Sequence, residues 1–432
     1  MTQATIESAD PGLAVFHFAR IQAQPGGMTR AWLAKVRLLV GAGWTVKVVF
    51  TSKVADEAVG GWRTAFDRLC GDRPLPEVQA RWLWASTPPD ELATARHGSV
   101  RLSRWLHGWA TGRSAPLLFV DSPTTLPVVA RARHRYNGGP RAGHAQVQGD
   151  RARWGVPRFD AHIVMTMHLN HLGYDVDPGT GALTPRFAER IEDIRADVDR
   201  LVVLTHRQAA DLSTRYPDLA ERIAVIGQPS PPVDRSLLPP RSEVPLCSVV
   251  TRLDPNKRLD ALIELWAQLR RAIPEARLEI WGSGPDEARL TALAQASPAS
   301  GSITMAGFTE TPLAQMARAW CTVSTSKREA QPLAVMESLA VGTPVVAFDV
   351  RYGPAEVIRD GVDGFLIDDR NRAAMSDALV GLLGSRSTVD RMGALALAPE
   401  GVGDRFAVAG IRREWLDLAG RLSRAGSRAH TP

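Results

Sequence analysis

Cysteine is nearly absent from this chain of 432 residues: Cys70, Cys247 and Cys321 stand far apart. Three such residues make neither a disulfide framework nor a zinc pattern, which fits a reducing compartment and reads each as a small core residue. Long apolar runs are missing too. None approaches the ~18–20 residues of a membrane span. The opening MTQATIESADPGLAVFHFAR lacks the basic start and apolar core of a secretory signal. A cytoplasmic protein is expected. Lysine is scarce beside arginine, and the formal charge is +6. That balance favours an anionic partner such as a nucleotide, a polyphosphate polymer or an acidic lipid surface. An arginine-rich genome would produce the same balance without any partner.

What is present is an alternation of strand and helix signals. A chain of this length is expected to form two domains of roughly 200 residues each. VFHFAR reads as a strand, MTRAWLAKVRLLVGAG as an amphipathic helix closed by glycine, and WTVKVVF as the next strand. APLLFVDS, AHIVMTMH, DRLVVLT and RIAVIGQP continue the series. Proline and polar residues then dominate PSPPVDRSLLPPRSEVP (229–245), which reads as a linker. The alternation restarts with LCSVVTRL, LDALIELWAQLRRAIP, ARLEIWGS, DEARLTALAQA, ITMAG and CTVSTS. TPVVAFDV, DGFLID and a last amphipathic helix, RFAVAGIRREWLDLAGRLSR, complete it. Short apolar strands separated by helices predict α/β domains with parallel sheets covered on both faces. The expected division is a first domain over 1–235 and a second over 236–403, with a C-terminal helix near 404–424 returning to the first. Two doubly wound domains would face a cleft, with ligands at the carboxyl ends of the strands.

Three loops carry candidate chemistry. After CTVSTS comes SKREAQPLAVMES, with Glu329 before a predicted helix and Glu337 inside it. Pro332 suits the first helical position, and the N–H groups of Leu333 and Ala334 would then form an anion site strengthened by the helix dipole. Acids near helix starts are as readily caps or solvated charges. In TRLDPNK, Arg252 closes a strand and Lys257 begins a helix, a pair able to clamp a diphosphate. Surface charge on an ordinary turn is the competing account. GSGP (282–285) lacks the spacing of a dinucleotide fingerprint and reads as a strand-to-helix turn. Two Asp-x-Asp strings, Asp175/Asp177 and Asp197/Asp199, read as loop and helix-start acids, and no metal requirement is expected.

Taken in order, TRLDPNK, LEIWGSGP, AGF, EAQPLAVME and AVGTPVVAF resemble the retaining GT-B glycosyltransferases of family 4 over about residues 244–384. Further stretches, QPGGMTRAWL, HLNHLG, DRLVVLTHRQAADL and DVRYGPAEVIRDGVDGFLI, are similar to the branch of poly(glycerol-phosphate) and poly(ribitol-phosphate) sugar transferases that decorate wall teichoic acid. The resemblance implies two Rossmann-like domains and a UDP-sugar donor, with UDP-glucose and UDP-N-acetylglucosamine as first choices. It gives Glu329 the donor-sugar hydroxyls, Glu337 the ribose, and Arg252 and Lys257 the diphosphate. It gives Phe308 a backbone contact to the nucleobase, with its ring expected in the core. Gly26 and Gly27 match a loop that lets backbone approach the donor phosphate. His168 matches a histidine near the sugar C6 and the acceptor, with His171 as the alternative.

Where relatives commonly carry Gly-Phe-Gly after the first acid, this chain has Ala330, Gln331 and Pro332. Proline removes a donor there, and Gln331 is the candidate replacement in the sugar pocket. The resemblance implies no cofactor beyond the UDP-sugar co-substrate. Expected partners are the nucleotide sugar and an anionic polymer or small-molecule acceptor, with peripheral contact at the inner face of the cell membrane and no nucleic acid. Arg131, Arg133, Arg135, Arg141, Arg151, Arg153 and Arg158 form a basic stretch suited to a polyphosphate or anionic surface, or equally to solvent. A sugar-nucleotide epimerase and a non-catalytic polymer binder are the competing functional classes. The Glu-x7-Glu pattern argues against the first, and the full donor set against the second.

Overall fold

The apolar runs named above form strands, and the strands collect into two separate sheets. The structure is a computed structural model. It describes residues 12–18, 27–52, 79–84, 99–109, 115–120, 126–136, 161–168, 195–369 and 371–428. The chain divides into two units, one of residues 1–203, 212–226 and 412–432, the other of residues 204–211 and 227–411.

In the first unit β1 (Leu13–Phe18), α1 (Gly27–Val40), β2 (Thr45–Ser52) and β3 (Gln79–Trp84) precede α2 (Ser99–Trp109) and β4 (Leu117–Val120). Then come α3 (Leu126–Tyr136), β5 (His162–Met167), β6 (Arg200–Val203) and β7 (Ile223–Val225), with α4 (His206–Arg215) before β7, its residues 206–211 belonging to the second unit. The sheet order is β3-β2-β1-β4-β5-β6-β7, and every described pairing is parallel. β4 is buried along its whole length, as a strand covered on both faces must be. Phe16 and Phe119 stack with centroids 4.6 Å apart, and Trp415 of the C-terminal helix meets Phe119 edge-on at 6.1 Å.

The second unit holds β8 (Leu246–Val250), α5 (Leu259–Ala272), β9 (Arg277–Trp281), α6 (Glu287–Ala296) and β10 (Ile303–Gly307). There follow α7 (Pro312–Arg318), β11 (Cys321–Ser324), α8 (Leu333–Ala340), β12 (Val345–Phe348), α9 (Pro354–Val357) and β13 (Gly364–Ile367). Helices α10 (Arg372–Leu383), α11 (Arg386–Leu397) and α12 (Val402–Arg405) lead to the C-terminal helix α13 (Val408–Arg428). The order is β10-β9-β8-β11-β12-β13, all parallel, so the winding reverses between β8 and β11. That reversal is where an open α/β sheet leaves a crevice for ligands. α5 shows why its segment is helical: Leu259, Leu262, Ile263, Trp266 and Leu269 recur at helical spacing and are buried, with Arg270 and Arg271 in the last turn. No helix among the described residues is long and apolar enough to cross a membrane.

Several details depart from the sequence reading. The proline-rich stretch is no loose linker: it packs on the second unit. Arg241 donates to the carbonyls of Ala319 and Gly342 at 2.5 and 2.9 Å, and the Trp320 indole donates to Ser242 O at 2.8 Å. Nor does Lys257 begin a helix. It ends a 3-10 turn, Pro255–Lys257, and α5 starts at Leu259. No strand is read from the sequence for β3, and no helix for α2, α3, α4, α7, α9, α10, α11 or α12.

Asp197 and Asp199 are held by protein donors. Arg133 reaches Asp199 at 2.8 Å and Asp197 at 3.3 Å, and the Ile163 N–H donates to Asp199 at 2.7 Å. Burial opposes ionisation of Asp199, but hydrogen bonding to His162 and Ile163 and the charge of Arg133 hold its carboxyl below the ordinary value. Arg133 is therefore engaged inside its own unit, while Arg131 is exposed. Arg141 to Arg158, Asp175 and Asp177 lie outside the described residues.

Two of the cysteines meet. Cys247 and Cys321 stand in register on the paired strands β8 and β11, both free and fully buried. Contact with Cys321 and burial push the Cys247 thiol well up, so its sulfur offers no ready thiolate. Alkylation of the native chain, read by peptide mass spectrometry, is expected to leave both unmodified until denaturant is added. Rapid native labelling would contradict this packing.

Candidate functional site

The carboxyl ends of β8 and β11 flank the winding reversal, and the two loops that leave them are laced together. After β8, Asp254 caps the 3-10 turn by accepting from the Asn256 N–H at 2.9 Å. Asn256 then donates from its side chain to Arg328 O at 2.9 Å, and its carbonyl accepts from the Lys327 N–H at 2.8 Å. Thr325 Oγ1 donates to Lys257 O at 2.7 Å. Arg258 sits in the left-handed region at φ 46°, uncommon for a side chain of this size. Its guanidinium donates to the carbonyls of Thr325 and Ser326 at 2.8 and 3.2 Å and lies over the Phe348 ring, 4.8 Å from the centroid.

This lacing brings together two residues singled out in the sequence. Lys257 Nζ stands 2.7 Å from Glu329 Oε1, with the side chains only 23% and 13% exposed. A charge-assisted bond of this length in a half-buried setting fixes both groups. Arg252, on the same loop, is 65% exposed and reaches Asp254 at 3.8 Å, a weak surface pair.

Beyond Glu329 the loop enters α8. Pro332 is its N-cap, with extended ψ 105°, and stands one residue ahead of the expected position. Its carbonyl accepts from the N–H groups of Val335 and Met336 at 3.1 and 3.2 Å. The N–H groups of Leu333 and Ala334 have no hydrogen-bond partner among the described residues, and they open the positive end of the helix. Glu337 lies in the second turn, 7% exposed. The helix is buried on nearly every side, and Ser338 binds Thr322 Oγ1 at 2.7 Å and Thr343 O at 2.9 Å.

Gln331 faces inward. It is 6% exposed, its carbonyl oxygen accepts from the Gln228 N–H, and its buried Nε2 has no hydrogen-bond partner among the described residues. Phe308 does the reverse of what was expected. Its ring is 58% exposed, because Gly307 at φ 74° turns the chain out of β10 at a register shift. The glycines of GSGP serve the sheet: a Cβ on Gly282 would lie 1.8 Å from Thr251 O. In the first unit, His168 follows β5 and is half-buried, 3.3 Å from Lys35 Nζ. Gly27 opens α1, while Gly26 and His171 lie outside the described residues.

The loop after β12 holds this arrangement from the other side. Gly353 takes φ 101°, and a Cβ there would fall 2.6 Å from Ala330 O and 2.8 Å from Pro332 Cδ. Its neighbours are tied to the segment 204–211 of the same unit. Arg351 grips Asp211 through two nitrogens at 2.9 and 2.7 Å, and Tyr352 donates to the same carboxylate. Glu356 accepts from the first N–H groups of α4, His206 and Arg207, at 2.8 and 3.0 Å. The sequence motifs assign no role to Arg258, Gly353 or Glu356. Only the left-handed glycine had a sequence signal, the Tyr-Gly-Pro turn.

Residues 234–396 match the sequence family described as "Glycosyl transferases group 1". The chain is 34% identical over 224 residues to the exopolysaccharide phosphotransferase SCO2592 of Streptomyces coelicolor, which spans 51% of this chain and 23% of that protein. It is 31% identical over 157 residues to the poly(glycerol-phosphate) alpha-glucosyltransferase of Bacillus subtilis, 36% of this chain and 23% of the relative. The matches thus cover less than a quarter of either relative's length. Among solved structures, a Staphylococcus aureus TarM mutant in complex with Fondaparinux, alpha-GlcNAc-glycerol and UDP superposes with a TM-score of 0.72 at 15% identity, over 94% of this chain and 99% of that one.

Two changes probe the geometry. Gly353→Ala is expected to cost about 1–3 kcal/mol in denaturant unfolding, because the alanine meets both a strained φ and the Ala330 carbonyl. A double-mutant cycle on Lys257→Met and Glu329→Gln is expected to show a coupling of roughly 1–2 kcal/mol, and additivity would mean the pair is not formed in solution. The chain has the GT-B fold, and within it residues 234–396 match the family described as glycosyl transferases group 1.

Proposed function

We propose that the protein is a retaining glycosyltransferase that moves a sugar from a UDP-sugar to a hydroxyl of an acceptor. The observation that carries this reading is the Lys257–Glu329 pair beside the open N-terminus of α8, at the winding reversal of the second sheet. A departing UDP builds negative charge on its β-phosphate. Lys257, Arg252 and the N–H groups of Leu333 and Ala334 are the groups assigned to meet it, and being already in place they cost little reorganisation. No metal is required in this scheme, since these donors supply the positive charge.

Glu329 is assigned to the donor-sugar hydroxyls and Glu337 to the ribose, roles that suit carboxylate acceptors. Lys257 holds Glu329, and donor binding exchanges part of that contact for phosphate and hydroxyl partners. His168 and the Gly26–Gly27 loop of the first unit are assigned the roles toward sugar, acceptor and phosphate that the resemblance implies. Phe308, with its ring exposed, offers the nucleobase an aromatic face besides its backbone. Gln331, turned toward Gln228, shapes the sugar pocket from behind.

Retention follows if the acceptor hydroxyl attacks from the face that UDP leaves and its proton passes to a phosphate oxygen. The Bacillus relative, an alpha-glucosyltransferase by name, supports this reading, since UDP-glucose itself carries an α linkage. That name and the formal charge of +6 support a polyol-phosphate acceptor.

The test is binding and transfer with the full chain. UDP-glucose or UDP-N-acetylglucosamine is expected to raise the melting temperature by a few degrees, about what saturation of a specific site provides. Transfer to a glycerol-phosphate oligomer is expected, with a KM that rises with salt. Glu329→Ala and Lys257→Ala should each lower turnover roughly 10²–10³-fold while the fold is kept. Near-normal rates in both variants would sink the assignment, and transfer only to short neutral acceptors would replace the polymer by a small molecule.

A further inference from the structure

The first unit buries a lysine that the proposed reaction leaves without a role. Five of the 52 basic residues are lysines, and Lys35, on α1, is only 6% exposed. Lysine is rarely buried without partners, since its ammonium loses hydration. Lys35 Nζ donates to Thr166 Oγ1 at 3.0 Å, lies 5.2 Å from the centroid of the Trp415 ring, and stands 3.3 Å from His168 Nε2. These three contacts come from the end of β5 and from the C-terminal helix. An ammonium over an indole face, beside a hydroxyl oxygen, is held by cation–π attraction and hydrogen bonding together.

An ammonium has three donors and no acceptor. The imidazole nitrogen it faces must therefore present a lone pair, which puts the ring's single proton on Nδ1. We propose that Lys35 is a positioning residue for His168 that holds the imidazole as the neutral Nδ1–H tautomer, with Nε2 accepting from the ammonium. The proposal rests on the reading of His168 as part of the reaction site. Protonating Nε2 would break this bond and set two cations side by side. His168 then serves the reaction as a hydrogen-bond donor through Nδ1–H, and it does not take the acceptor proton at Nε2. That proton goes to an oxygen of the departing phosphate: the O–H bond of the acceptor breaks as the new O–H bond on the diphosphate forms.

The tautomer is visible directly. In the full chain labelled with 15N-histidine, long-range proton–nitrogen correlation separates a protonated from an unprotonated ring nitrogen, and His168→Gln identifies the signal. The expected pattern for His168 is a protonated Nδ1 and an unprotonated Nε2. Lys35→Met, similar in length and without a donor, is expected to shift the ring toward the Nε2–H form. Lys35→Arg, which also has only donors, should keep the original pattern. A wild-type ring protonated at Nε2, or a Lys35→Met spectrum identical to wild type, overturns the proposal. Should Lys35→Met fail to fold, the wild-type and Lys35→Arg spectra still decide it.

Kinetics supplies the second readout. Lys35→Met is expected to lower kcat by roughly 10–100-fold, the scale of a misplaced reaction-site group, with the donor KM within about twofold. Lys35→Arg should recover much of the loss, whereas a purely structural lysine would change both parameters together. If His168→Gln leaves turnover intact, the catalytic reading of His168 falls, and the spectra still rule on the tautomer by themselves.

Discussion

The arrangement of the second unit depends on the lacing between the loops that leave β8 and β11. Parallel strands end with their loops on one side of the sheet, and at the winding reversal the two loops diverge unless something joins them. Here backbone carbonyls of residues 325, 326 and 328 are taken by Arg258 and Asn256, and Lys257 O is taken by Thr325. These bonds pair backbone groups that would otherwise lie unsatisfied near the sheet edge. The Lys257–Glu329 ion pair is the outcome of that lacing, since both side chains emerge from backbone already held at short range.

Around this centre the neighbouring loops act as struts. The β12 loop approaches so closely at Gly353 that a single added carbon would strike the Ala330 carbonyl. Asp211 and the start of α4 hold that loop through Arg351, Tyr352 and Glu356. Gln331 accepts from Gln228 on the segment that enters the second unit. The acidic loop is therefore fixed on three sides, as preorganised electrostatics would require of the proposed donor site. In the first unit a smaller version of the same logic operates at Lys35, where one buried ammonium gathers a hydroxyl, a ring face and an imidazole.

Much of the fold was legible because strands buried on both faces have a simple signature. They read as short continuous apolar runs, and LLFV, HIVMTM and VVAF are found as β4, β5 and β12. β3 was not, since QARWLW mixes polar and aromatic residues and carries no such run. Helix boundaries slipped by a residue or two at Lys257 and Pro332, where proline chemistry allows more than one position. Phe308 followed its apolar character into an expected core position, but a left-handed glycine one residue earlier turned it outward. Asp197 and Asp199, expected as ordinary loop and helix-start acids, are both held by Arg133, some 65 positions earlier in the chain, a contact that no local pattern encodes.

By itself the sequence determined the class of fold, the succession of strands and helices, and the residue types that reach the ends of β8 and β11. Periodicity and turn residues act over a few positions, and such local rules suffice for that much. The tertiary structure alone decided that Cys247 meets Cys321, that Lys257 meets Glu329, that Gln331 turns toward Gln228 and that Lys35 faces His168. Each of these pairs is separated by at least 70 residues, and its distance is set by sheet order, register and the close approach of loops. Spacing along a chain does not encode those quantities.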